Sequence, residues 1–252
     1  MNTPPHVAAP LTRSFTVRPA WRRAAAALLL AVGGVAAQAQ ILIGQTTAVT
    51  GPVAASVGET LVGVRLYLDH VNARGGVHGE QIRLITLDDK FEPKLAGENA
   101  RQLIEEHKVA ALFKSRATPH TQAILPHLAK HQIALIAPST GAMVLHQPVN
   151  PLVFNVRAMG YGINREADAL VKAKGDVALS PQMMEGFAGA KVLVEALRRA
   201  GPKPTRERIV AALGNMSHYD LGGLELGFGP GDRTGLNFVE LSIIGSDGRF
   251  RR

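Results

Sequence analysis

Three short, largely apolar runs and one that alternates toward a strand, at 81–87, set the tightest limit on what this chain can fold into. They are Ile41-Leu42-Ile43-Gly44-Gln45 and the segments at 81–87, 109–113 and 133–137. After the first, Leu61, Val64, Leu68 and Val71 recur at three- and four-residue steps, which gives a helix with one buried face. Asn72-Ala73-Arg74-Gly75-Gly76 ends that helix, because glycine readily takes the left-handed turn found there. Ser56 and Glu59 are spaced as a capping box for its start. Residues 93–106 read as a second helix with Pro93 at its opening. A third spans 119–131, with Pro126 a candidate kink point.

Apolar strands alternating with amphipathic helices indicate an α/β fold: an open parallel sheet with helices on both faces. Right-handed crossovers place the loops after all strands along one edge. Ligands of such sheets bind outside the carboxyl ends of the strands, where the strand order reverses. The loops at 46–56, 114–118 and 138–143 are therefore the ones a ligand would meet. Each carries Ser or Thr and opens onto a helix N-terminus, where free N–H groups and the helix dipole favour an anion. Ser56, Ser115, Thr118, Ser139 and Thr140 are thus placed to hold a small carboxylate. Any one of them serves equally well as a cap or turn residue; the convergence of three loops is what favours a ligand.

After Val153-Phe154-Asn155-Val156-Arg157 the alternation stops. Residues 161–174, 182–200 and 205–213 read as helices, followed by a short strand near Leu224-Glu225-Leu226 and a longer one at 238–244. No internal repeat or low-complexity stretch interrupts this part.

The first 39 residues read as a segment apart. Arg13, Arg18, Arg22 and Arg23 precede an apolar stretch at 24–37 that ends in Ala37-Gln38-Ala39, the pattern of a cleaved secretory signal. At about 14 residues the apolar part is shorter than the ~20 a bilayer-spanning helix needs. Its four arginines account for half of the formal charge of +8, so the remainder is only mildly basic. The remaining Lys and Arg are scattered and form no stripe interleaved with aromatics, which speaks against nucleic acid as a partner. The chain has no cysteine, so disulfides, thiol catalysis and a lipid anchor on a cysteine are excluded. The expected product is exported to the periplasm, is not membrane-embedded and is not a lipoprotein.

Thr50-Gly51-Pro52, Asn72-Ala73-Arg74-Gly75-Gly76-Val77-His78-Gly79, Asp88-Asp89 and Ile136-Ala137-Pro138-Ser139-Thr140-Gly141 resemble, in order and spacing, the first lobe of the leucine/isoleucine/valine-binding proteins. Leu221-Gly222-Gly223-Leu224, Thr234-Gly235-Leu236 and the run from Gly245 to Arg252 are similar to the end of that family. These are type I periplasmic solute-binding proteins of ABC importers, in which two α/β lobes close over a ligand. The resemblance implies a small amino acid or related carboxylate as ligand, a membrane permease as partner, no cofactor and no enzymatic activity. It implies that the loop of Ser115 and the loop of Ser139, Thr140 and Gly141 hold the ligand. With Tyr161, the candidate ligand-binding set is Ser56, Ser115, Thr118, Ser139, Thr140, Gly141 and Tyr161. The first loop departs from the pattern, since Val57 stands where relatives often offer an aromatic side chain.

The resemblance also divides the chain: a first lobe at 40–157, a remnant of the second lobe at 158–180, and a segment at 181–252 that returns to the first lobe and the hinge strands. Two lobes of ~150 residues need about 300, against 213 left after the signal. About 100 residues of the second lobe are therefore expected to be missing, near 169–174. A truncated lobe that binds no solute, or serves as an interaction module, is the alternative reading. An exported metal enzyme is a third. His120, His127 and His131 share one helix face, but no acid stands among them to act as a base and no phosphate loop or nucleophile motif is present.

Overall fold

The computed structural model describes residues 40–156, 164–174, 179–236, 243–244 and 250–251. Its first strand is β1 (Gln40–Thr47). It is followed by α1 (Ala54–Ala73), β2 (Gln81–Asp88), α2 (Pro93–Glu105), β3 (Ala111–Phe113), α3 (Thr118–His131), β4 (Leu135–Ile136) and β5 (Val153–Phe154). These five strands form one sheet in the order β2-β1-β3-β4-β5. Every pairing is parallel, with Ile41 beside Ile82, Leu112 beside Leu135 and Ile136 beside Phe154. An open parallel sheet with both faces covered is the architecture that the apolar strands predict.

The two faces bury separate clusters. Ile43, Phe113, Ile136 and Phe154 pack with Val64 and Leu68 of α1 and with Phe187, Val192 and Val194. Leu112, Leu135 and Val153 pack on the other side with Leu103 and Ile104 of α2 and Ile124 and Leu128 of α3. Each such side chain, removed from water, contributes about 1.5–3 kcal/mol.

Beyond the sheet come α4 (Asn164–Lys174), α5 (Pro181–Ala200) and α6 (Arg206–Gly214), then β6 (Tyr219–Asp220) paired with β7 (Glu225–Leu226) and β8 (Ile243–Ile244) paired with β9 (Phe250–Arg251). Among the described residues there is no second parallel sheet; α5 instead lies along α1. Their backbones touch. A Cβ on Gly63 would fall 1.8 Å from the Met183 carbonyl oxygen, and one on Gly186 would fall 2.0 Å from that of Thr60. Ser180 caps α5 by accepting a hydrogen bond from the Met183 amide at 3.2 Å, and Thr205 caps α6 in the same way. Lys191 of α5, 7% exposed, donates to Glu166 of α4 and to the Leu221 carbonyl.

One local expectation is corrected. The capping box at Ser56 and Glu59 does not form: α1 starts at Ala54 behind Val53, which makes no side-chain cap. Ser56 thus lies inside the first turn and donates to the Val53 carbonyl, while Glu59 is exposed. Pro126, the candidate kink point, lies inside α3, which runs on to His131, where Gln132 ends it in a left-handed conformation. Residues 1–39, Tyr161 and most of the 238–244 segment lie outside the described residues. Among the described residues, no helix is long and apolar enough to cross a membrane.

Candidate functional site

The strand order reverses at β1: β2 lies on one side of it and β3 on the other. A parallel sheet wound this way leaves a crevice at the carboxyl ends of β1 and β3, between loops that diverge to opposite faces. The recess there is lined by Gln45, Thr47, Val57, Thr60, Leu61, Lys114, Arg116 and Ser139. It is small, with room for little more than a water molecule.

Its walls are fixed by unusual backbone. Lys114, Ala117 and Ala137 all have positive φ, at 58°, 68° and 55°. Non-glycine residues in that region cost of order 1 kcal/mol or more each, so such clusters persist only where the surrounding structure holds them. Here the hold is a bridge between Arg116 and Ser139: the Ser139 amide donates to the Ser115 carbonyl at 2.7 Å, and the Ala117 amide to the Ser139 carbonyl. The exits of β3 and β4 thereby advance together.

The side chains then sort by direction. Lys114, buried at the end of β3, turns to Glu185 of α5 and makes a 2.6 Å ion pair. Arg116, two residues on, turns into the recess and donates from Nη2 to Ser56 Oγ at 3.1 Å. Ser115, between them, faces the opposite way. Thr121 spends its hydroxyl proton on the Ala117 carbonyl, so Ser115 donates to Thr121 Oγ1 at 2.9 Å. Only 1% of Ser115 is exposed. Its hydroxyl shapes the loop from within.

Thr118 and Thr140 meet at 2.7 Å between hydroxyl oxygens, and Thr140 also accepts from the Ala142 amide. Gly141, next to them, is exposed. The structure thus brings Ser56 to Arg116, Arg116 to Ser139, and Thr118 to Thr140, while it turns Ser115 away. Sequence reasoning looked for hydroxyls and passed over Arg116. A signal was available in the two cations placed directly after an apolar strand at the expected edge.

The acids on this edge are committed to the scaffold. Asp88 accepts from the amides of Val49, Thr50 and Lys90 and from the Thr50 hydroxyl. Desolvation works to raise its carboxyl, but those hydrogen bonds together outweigh it, and Asp88 titrates below its ordinary value. Asp89 is fully buried, accepts from Thr46 and the Phe91 amide, and is pushed up by that burial. The histidines divide as well. His120 is buried and stacked on Phe91 at 4.6 Å, with neither ring nitrogen hydrogen-bonded. His131 meets Glu105 at 3.1 Å. Among the described residues, no three potential metal ligands cluster.

Residues 40–175, more than half of the chain, match the family model of periplasmic binding proteins. The chain is 36% identical over 86 residues to a Leu/Ile/Val-binding protein homolog 7 of Brucella abortus (strain 2308), covering 34% of this chain and 21% of that protein. It is 23% identical over 205 residues to a Leu/Ile/Val-binding protein of Citrobacter freundii, covering 69% of this chain and 56% of that protein. The match thus spans between a fifth and a little over half of these relatives' length. Among solved structures, a possible leucine/isoleucine/valine-binding protein from Rhodopirellula baltica SH 1 superposes with a TM-score of 0.75. Its sequence identity is 17%, and the superposition covers 87% of this chain and 98% of that one. The parallel sheet, its reversal at β1 and the matched residues lead to one conclusion: the chain belongs to the periplasmic binding protein family.

Proposed function

We propose that this chain is the extracytoplasmic substrate-binding component of an ABC importer, carrying a branched-chain amino acid or a similar small carboxylate to a membrane permease. The observation that carries the reading is the recess at the β1–β3 reversal, which Arg116 and Ser139 line together. The names of the related proteins support the ligand class, and the basic and apolar segment at 1–39 supports export to the periplasm.

In this reading Ser139, Thr140, Thr118 and Gly141 meet the ligand, Ser56 orients Arg116, and Ser115 holds the loop in shape. Tyr161 is kept as a candidate ligand-binding residue. Residues 40–157 and 181–252 together build the first lobe, and 158–180 are what remains of the second. No chemistry is catalysed at the recess: binding and release are the whole function.

The test is isothermal titration of the full chain with leucine, valine, phenylalanine and small carboxylates. Micromolar binding is expected for at least one. Replacing Ser139 and Thr140 together with Ala should weaken it about tenfold or more, the usual consequence of losing hydrogen bonds to a charged group. Unchanged affinity in that variant would remove both residues from the site.

A further inference from the structure

We infer that the groove between the β6–β7 hairpin and residues 227–236 is a second binding site, and that it takes a small organic cation with an apolar body. The groove shares no lining residue with the recess at the β1–β3 reversal.

It forms where the C-terminal segment joins the edge of the sheet. β5 is the outermost strand, and just past it Asn155 pairs with Thr234. The Asn155 amide donates to the Arg233 carbonyl, and the Gly235 amide returns a hydrogen bond to the Asn155 carbonyl, both at 2.9 Å. The Gly227 amide then donates to the Gly235 carbonyl, which lays the end of β7 beside this added segment. Close packing fixes the arrangement. A Cβ on Gly227 would fall 2.1 Å from the Ser217 carbonyl oxygen, and one on Gly235 would fall 2.8 Å from the side chains of Leu226 and Phe228. Phe228 in turn stands edge-on to Phe154 of β5, with ring centroids 5.3 Å apart. The groove is thus preformed on the sheet. Its volume, about 620 Å³, falls within the roughly 300–1,000 Å³ of small-molecule sites.

Its lining combines an apolar floor with acids at the rim. Leu224 and Leu236, both half-buried, and the nearly buried Phe228 supply the apolar surface. The carboxylates are those of Glu225 and Asp232, both exposed. Asp232 is oriented by the Thr234 amide at 2.7 Å, and Glu225 meets His218 Nδ1 at 2.5 Å. Arg233, next to Asp232 in the chain, is directed elsewhere: its guanidinium lies over the Phe154 ring at 4.9 Å and donates to the Gly229 carbonyl. Two carboxylates against one imidazole leave the described wall negative whether or not His218 carries a proton. A cation entering the groove is attracted by both carboxylates, and an anion is repelled. An apolar body attached to that cation removes Leu224 and Leu236 from water.

Three ligands with one body and different charge separate the possibilities: 3-phenylpropylamine, 3-phenylpropanol and 3-phenylpropanoate. Each is titrated into the full chain and followed by proton–nitrogen correlation NMR. The amine is expected to shift the amides of Gly223, Glu225, Gly227 and Gly235 at millimolar concentration or below, and to bind there about threefold or more tighter than the alcohol. The propanoate is expected to leave those amides in place. Glu225→Gln combined with Asp232→Asn should bring the amine down to the affinity of the alcohol, and added salt should weaken the amine alone. Cooperative thermal unfolding checks that the double variant is folded; if it is not, the three-ligand comparison on the unmodified chain decides. Propanoate shifting these amides as strongly as the amine, a folded double variant that keeps the amine's full affinity, or no shift of these amides by the amine overturns the inference. None of these outcomes touches the binding role proposed above, whose ligands are read at Arg116 and Ser139.

Discussion

The two layers that cover the sheet are held on by different means. On one face α1 and α5 meet backbone to backbone at Gly63 and Gly186, the buried Lys114 pins α5 to the sheet through Glu185, and Lys191 ties α5 to the half-exposed Glu166 of α4. On the other face α2 and α3 meet through side chains. Gly97 of α2 would place a Cβ a tolerable 3.2 Å from the Ala123 carbonyl oxygen, and the ionic contacts lie at the rim, where Glu105 gathers Arg101, Lys130 and His131. The lesson concerns the recess between them. Its floor turns on Lys114 and its Arg116 leans on α1, so it is built from the layer that has least freedom to move.

Removing the buried charge should have the largest effect. Lys114 is 1% exposed at its side chain and Glu185 15%. Breaking such a pair from one side costs about 3–5 kcal/mol, because the other charge stays buried. Glu185→Gln keeps the shape and a hydrogen-bond acceptor, so a loss of about 3 kcal/mol is expected in urea unfolding. A loss below ~1 kcal/mol, the level of a surface pair, would show that the two layers are not pinned differently. Gly186→Ala comes next. Its methyl would meet the Thr60 carbonyl oxygen at 2.0 Å, and overpacking of that kind costs about 1–3 kcal/mol. At roughly 2–4 °C per kcal/mol, calorimetry should record a clear drop in Tm. Gly97→Ala is the matched control on the other face. There the ~1 kcal/mol that alanine gains in a helix offsets the mild crowding, and Tm should stay nearly constant.

How much of this could be read beforehand depends on how local its cause is. The runs that form β1, β3 and β4 are largely apolar and the one that forms β2 alternates, so four of the sheet's five strands were legible beforehand. Helix ends were legible to within one or two residues, except at Ser56, where hydroxyl and acid had the right spacing but the cap position lies three residues earlier, at Val53. Which side chains enter the recess was not legible. Lys114, Ser115 and Arg116 point three different ways because Lys114 and Ala117 take left-handed backbone, and neither residue type announces it. The contact of Gly63 with Met183 joins distant parts of the chain, and each glycine alone looks like a flaw in its helix. Arg116 reads as an ordinary loop cation until Ser56 and Ser139 are seen around it.

The smallest expected effect isolates the rim of the second layer by pH. Glu105 accepts from Lys130 at 2.9 Å, from Arg101 at 3.3 Å and from His131 at 3.1 Å. The hydrogen bond from Lys130 is the main cause that brings its carboxyl down from the ordinary value of 4.5 to about 2. A carboxyl depressed on folding stabilises the folded state above its unfolded value. That contribution is complete above about pH 4.5 and disappears as the pH falls through about 2. In urea unfolding, Glu105→Gln should therefore lie below the unmodified chain at pH 7, with the gap closing between pH 4.5 and 2. Added salt should narrow the gap at pH 7, since the knot is exposed to solvent. A gap that ignores both pH and salt would mean that Glu105 acts through packing. The α2–α3 layer would then be held by its aliphatic side chains alone, a sharper contrast with the pinned face than the ion pairs suggest.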